Sequence, residues 1–217
     1  ALAAFGASAF VLGTLILEFV RGAAARHRSS GQPYFKAFFS LIWGNKPRYG
    51  GYIIHLGVIL MAVAIAASQF YNTSVEETLN PGESLNIRQY TLTYKGIEQF
   101  NTRTRRVTAA SLDVYEDGKK IDTLTSEKAF HKQHENPTTE VAIRTTLLED
   151  LYVIFASWEG QTASFKVLVN PMVVWIWIGG AVMLLGTVVA FWPDAREKHR
   201  LAMRQAGAAR EEVASNA

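Results

Sequence analysis

Residues 48–68 read RYGGYIIHLGVILMAVAIAAS, and one ionisable ring, His55, interrupts a run otherwise suited to hydrocarbon. Burying imidazole in lipid without a partner costs several kcal/mol, whether the ring stays neutral and unbonded or becomes charged. A helix partner, a proton path or a metal has to meet it. The segments on either side of this stretch decide what surrounds the ring.

Three segments are apolar over the ~20 residues that a bilayer crossing takes: residues 1–20, residues 49–71 around His55, and residues 171–192, PMVVWIWIGGAVMLLGTVVAFW, with Pro193 as the stop. Between the first two, residues 21–48 hold six Lys or Arg (Arg21, Arg26, Arg28, Lys36, Lys46, Arg48) and no acid. The tail 193–217 places Arg196, Lys198, Arg200 and Arg204 close to the third segment. By the excess of basic residues on cytoplasmic loops, both flanks are expected inside the cell. Residues 72–170, with eleven basic and fourteen acidic residues, then lie on the other side. The fold expected is a polytopic α-helical membrane protein with three transmembrane helices in this chain and an inserted all-β extracytoplasmic domain. The opening at Ala1, inside an apolar run with no positively charged region before it, reads as a piece of a longer membrane protein rather than a signal peptide.

The basic loop contains PYFKAFFSLIWG, which puts Phe35, Phe38, Phe39 and Ile42 at helical spacing. Two placements fit it equally: a short helix lying in the membrane interface, or one packed on neighbouring spans. The 72–170 segment has a different texture. Pro81-Gly82 opens a turn, YTLTYKGIEQF alternates in polarity, and Asp117-Gly118 sits between two strand-like runs as a hairpin signal. TEVAIRTTLL, DLYVIFASW and TASFKVLVN add further candidates, so seven or eight short strands in a sandwich or open barrel are expected. The chain has no cysteine, which removes thiolate metal sites, disulfides and cysteine nucleophiles from these residues. Its formal charge of +3 makes no case for nucleic acid as a partner.

Five histidines exist. His27 and His199 sit in basic stretches where a solvated ring is the default. His131 and His134 form H-K-Q-H, a spacing that can ligate metal, in a polar loop with no third ligand evident. Glu76-Glu77 and Glu149-Asp150 read as polar punctuation at strand ends, and Trp175 and Trp177 as an interfacial aromatic belt. No nucleophile elbow or phosphate loop is present in the sequence. His55 differs because an intramembrane histidine marks a function by default. It lies ~10 Å along the helix from Arg48, at 1.5 Å per residue, in the cytoplasmic half of the span. Gly51 is one turn before it, with Gly50 and Gly57 nearby. These small residues suit either a flat, bulky ligand beside the ring or close helix–helix contact. Neutral imidazole is a common axial ligand of haem iron, and one histidine supplies one ligand only.

Taken in order, RYGGYIIHLGVILMAVAIAAS, LNPGESLNIRQYTLTYKGIEQF, TTEVAIRTTLLEDLYVIFASWE and VNPMVVWIWIGGAVMLLGTVVAFWP resemble the C-terminal part of the CcmF/NrfE proteins, the haem lyase subunits of cytochrome c maturation system I. The resemblance covers residues 48–193. It implies an inner-membrane protein of bacteria that holds a haem b between two transmembrane histidines. It further implies that haem is received from a periplasmic haem chaperone and attached to the CxxCH cysteines of apocytochrome c, beside other cytochrome c maturation subunits. Thioether formation there needs reduced haem and reduced thiols. The family's R-x-G-x-x-x-H-L-G stretch is met here by Arg48, Gly50 (or Gly51) and His55-Leu56-Gly57, so the resemblance implies one haem-iron ligand role for His55, with Gly51 one turn before it. The β-rich insert is implied to be periplasmic. The family's tryptophan-rich WWD motif, its second transmembrane ligand and its periplasmic haem-binding histidines are not in these residues. A competing expectation is a membrane-anchored scaffold or binding module for assembly partners, without its own haem, in which His55 bonds across a helix pair. A transporter fragment, with His55 as a proton relay, has only Glu18 as a further intramembrane charge, near a membrane edge.

Overall fold

The computed structural model describes residues 2–131 and 137–193. They form four helices and nine strands in the order α1 (Leu2–Ser30), α2 (Tyr34–Gly44), α3 (Lys46–Phe70), β1 (Thr73–Leu79), β2 (Ser84–Ile87), β3 (Tyr90–Asn101), β4 (Arg105–Glu116), β5 (Lys119–His131), β6 (Thr138–Glu140), β7 (Ala142–Thr145), β8 (Glu149–Glu159), β9 (Thr162–Pro171) and α4 (Val173–Phe191). By length and composition α1, α3 and α4 can each cross a membrane. The chain divides into two compact units, residues 1–5 with 62–177 and residues 6–61 with 178–217, which are described separately.

In the first unit the strands make two antiparallel sheets, β1-β9-β8-β7 and β2-β3-β4-β5-β6, packed as a sandwich. Alternation decides the inward faces. Leu85, Leu92, Tyr94, Leu112 and Val114 of one sheet meet Leu151, Val153, Phe155, Phe165 and Val167 of the other in one fully enclosed core. Each such side chain contributes about 1.5–3 kcal/mol relative to exposure. The Asp117-Gly118 turn joins β4 to β5 as expected. Both residues have positive φ, 52° and 75°, the geometry that matches the twist of the flanking strands.

Two features of the sandwich depart from the sequence expectation. β1 is an extra strand, and Glu76 and Glu77 lie inside it rather than at a strand end. It is a sheet edge paired only with β9, so its acids stay in water, with Glu76 bound to Lys166. TEVAIRTTLL is not one strand but two: β6 pairs with β5 in one sheet and β7 with β8 in the other, with Val141 crossing between. Ser126 stitches the sheets beside this crossing. Its hydroxyl donates to Glu140 O at 2.8 Å and accepts from Phe155 N at 3.1 Å.

In the second unit the helices overrun the expected limits. α1 does not stop with the apolar run at residue 20 but continues through RGAAARHRSS, whose alanines and arginines are good helix formers. It ends at Gly31, left-handed at φ 64°, whose N–H reaches His27 O at 2.9 Å. Most of the basic loop 21–48 is therefore helical. α3 begins at Lys46 rather than residue 49, because Pro47 is tolerated in a first turn. α2 packs one face on α1, with Phe38 and Phe19 rings 5.5 Å apart, and leaves Phe35, Phe39 and Trp43 exposed.

Candidate functional site

The lower part of α3 presents three faces, and helical phase assigns each residue to one. Gly50 and Gly57, seven apart, face α4. A β-carbon on Gly57 would lie 2.5 Å from Met183 Cγ and 2.6 Å from Gly179 O. One on Gly50 would lie 2.5 Å from Ala190 N, and one on Gly186 2.7 Å from Ile54 N. Four glycines, two per helix and each pair seven residues apart, thus let antiparallel backbones approach closely.

A second face meets α1. Phe19 sits 5.4 Å from the Tyr49 ring and 5.9 Å from the Tyr52 ring. At this contact Arg48 Nη2 binds Glu18 Oε2 at 2.6 Å, and Arg48 Nε donates to Tyr52 OH at 2.9 Å. Glu18, the one further charge that the transporter reading had, is held in this ion pair.

The third face carries Gly51, His55 and Val58, at spacings of four and three. His55 and Val58 are exposed, and a β-carbon on Gly51 would meet nothing within 4 Å. His55 Nδ1 lies 2.7 Å from Gly51 O. A carbonyl can only accept, so Nδ1 is the donor, which in a neutral ring leaves the lone pair on Nε2. This is the arrangement of a metal-binding histidine, whose second nitrogen is tied to a backbone carbonyl that fixes tautomer and ring orientation. The ring's bond is within its own helix; the α3–α4 seam runs along another face. The glycines therefore divide by surroundings: Gly50 and Gly57 meet α4 closely, and Gly51 faces open space one turn before His55.

The remaining histidines do not join this site. His27 hydrogen-bonds Gln32 O at 2.5 Å and stacks on Tyr34 at 4.1 Å, closing the α1–α2 corner. His134, His199 and the side chain of His131 lie outside the described residues. Among the described residues, no group of three or more metal-ligating side chains is present.

A polar cluster that sequence reading passed over sits at the base of the sandwich. Glu149 and Asp150 begin β8 and are both buried, not surface punctuation. Glu149 takes Arg88 Nη1 at 2.9 Å together with Gln89 Nε2, and Arg88 Nη2 reaches Tyr71 O at 3.2 Å. Burial, and then the hydrogen bond to Glu149, push the Tyr90 phenol up. Asp150 Oδ1 is buried without a partner among the described residues. Nothing in the spacing of two adjacent acids distinguishes such a clamp from solvated residues; its signal is the β2–β3 turn folding across it.

Comparison with known proteins follows this geometry. A family profile described as the CcmF C-terminal beta-sandwich matches residues 70–171. The cytochrome c-type biogenesis protein CcmF of Escherichia coli is 29% identical over 154 residues, covering 70% of this chain and 24% of its own length. CcmF of Pseudomonas aeruginosa is 30% identical over 143 residues, 65% of this chain and 22% of that protein. A probable NrfE of Escherichia coli is 23% identical over 154 residues, 70% of this chain and 28% of that protein. A solved structure, "Cytochrome c Heme Lyase CcmF", superposes with a TM-score of 0.62 at 24% identity, over 84% of this chain and 34% of the other; that likeness speaks for the fold. The chain spans about a quarter of the length of these curated relatives.

Proposed function

The chain is the C-terminal part of a CcmF/NrfE-family protein, and from that premise we propose that it supplies one axial ligand of a transmembrane haem b to a cytochrome c haem lyase. The observation that carries this reading is His55. Its Nδ1–H is committed to Gly51 O at 2.7 Å, so Nε2 is the free donor, on a face of α3 that neither α1 nor α4 covers. The residues suit the group. A neutral imidazole is the common axial donor for haem iron, and Gly51 removes the side chain that would stand one turn below the ring. A haem held there supplies one-electron redox chemistry.

The chain's own residues orient the imidazole, keep it in one tautomer and hold α3 rigid against α4. The second axial ligand belongs to a part of the protein outside this chain. The sandwich belongs to the extracytoplasmic side, where apocytochrome c, a haem chaperone and the other maturation subunits are met. The basic residues of 21–48 against the mildly acidic 72–170 support that sidedness. On the cytoplasmic face, α2 serves as an interfacial helix, its exposed Phe35, Phe39 and Trp43 directed to lipid.

The test is a reduced-minus-oxidised optical spectrum of the complete protein carrying His55→Ala. Loss of the b-type signal, with recovery on adding imidazole, is expected. A signal of normal intensity without imidazole sinks the assignment.

A further inference from the structure

The turn from β7 to β8 exposes two large apolar side chains, Leu147 at 66% and Leu148 at 77%, where a solvent loop ordinarily carries polar residues. The turn is built rather than loose. Thr146 Oγ1 accepts from Leu148 N at 3.3 Å and Glu149 N at 3.1 Å, and Thr146 N donates to Glu149 O at 3.0 Å. Directly after it, Glu149 is buried in its clamp with Arg88 and Gln89. The leucines are held out by this structure rather than left over from it.

The height of this tip is fixed by the ends of the apolar helices. Trp175 Nε1 donates to Leu147 O at 2.9 Å, and Met172 N donates to Leu148 O at 2.7 Å. Met172 adopts φ 60° to do so, a conformation that a bulky side chain holds only where surrounding contacts impose it. From the other helix, Tyr71 O is tied through Arg88 to Glu149. The two leucines are therefore tied through their carbonyls to the start of α4, where Trp177 is itself 77% exposed.

We propose that Leu147 and Leu148 dip into the outer leaflet of the bilayer, between headgroups and acyl chains, and hold the base of the sandwich on the membrane surface. The occupant is lipid because the tip is hydrogen-bonded to Met172 and Trp175 at the start of α4, a helix apolar enough to cross a membrane. A protein partner would need no such registration to the helix ends. The proposal rests on α4 spanning the bilayer, and the experiment separates the two claims.

Spin labels are placed singly at Leu148→Cys, at Leu184→Cys midway along α4 and at Thr104→Cys in the β3–β4 turn, in the complete protein freed of other cysteines and reconstituted in phospholipid nanodiscs. Relaxation by oxygen reports lipid, and relaxation by a water-soluble nickel chelate reports solvent. The proposal expects Leu148 and Leu184 to favour oxygen several-fold over Thr104. If Leu184 reads lipid but Leu148 reads water like Thr104, the tip proposal fails while the span stands. If Leu148 is shielded from both reagents, a protein segment covers it and lipid is excluded as the occupant. If Leu184 itself reads water, the spanning assignment fails and the proposal with it.

Discussion

At the residue scale, hydrogen-bond bookkeeping decides what a polar group can do. His55 spends one nitrogen on its own helix, which leaves the other chemically defined. Ser126 spends both capacities of its hydroxyl, one on each sheet. Replacing it by alanine leaves a buried N–H and a carbonyl without their partner, at a cost of ~1–3 kcal/mol. Ser126→Ala is expected to speed hydrogen exchange at the Phe155 amide by the corresponding factor, roughly 5- to 150-fold, while amides of β2 change little. Asp113 shows the electrostatic side of the same logic. Hydrogen bonds from Lys120 and Thr123 hold its carboxyl below its ordinary value of 3.8. A depressed carboxyl adds stability above the unfolded value and loses it as pH falls through the folded one. A small part of the sandwich's stability is therefore expected to be lost as pH falls below about 3.8, and Asp113→Asn should flatten that dependence.

Elements are where the sequence was easiest and hardest to read. The three apolar helices and the Asp117-Gly118 hairpin were legible because period, length and turn chemistry each select one structure. β1 was not, since the acids of an edge strand need no burial and leave no alternation to find. The β6–β7 crossing was hidden because TEVAIRTTLL has the continuous texture of a single strand, and only partners in two different sheets divide it. The extension of α1 through RGAAARHRSS shows that the end of an apolar run is not the end of a helix. The glycines of α3 were partly legible. Residues 50 and 57 share a face, as do 51 and 55, but only α4 reveals which face is packed. A paired experiment uses that difference. Gly57→Leu should collide with Met183 and Gly179 and lower the yield of folded protein. Gly51→Leu should leave the helix pair intact and reduce bound haem, read as haem per protein in purified material.

At the scale of the whole molecule, the chain holds a folded sandwich and a helix with one bare face, and the matched region is about a quarter of its relatives' length. On the proposed function, a haem bridging two histidines needs a facing helix, and the bare face of α3 is where it would dock. The proposed sidedness rests on charge summed over six basic residues; removing one of them from 21–48 should leave the orientation unchanged.

His55 as an iron ligand is tested most directly by redox titration of the complete protein against His55→Met. Exchanging an imidazole for a thioether on iron raises the reduction potential. His55→Met is expected to retain haem at a higher midpoint than the unaltered protein. An unchanged midpoint, with haem fully bound, would mean that His55 does not touch the iron.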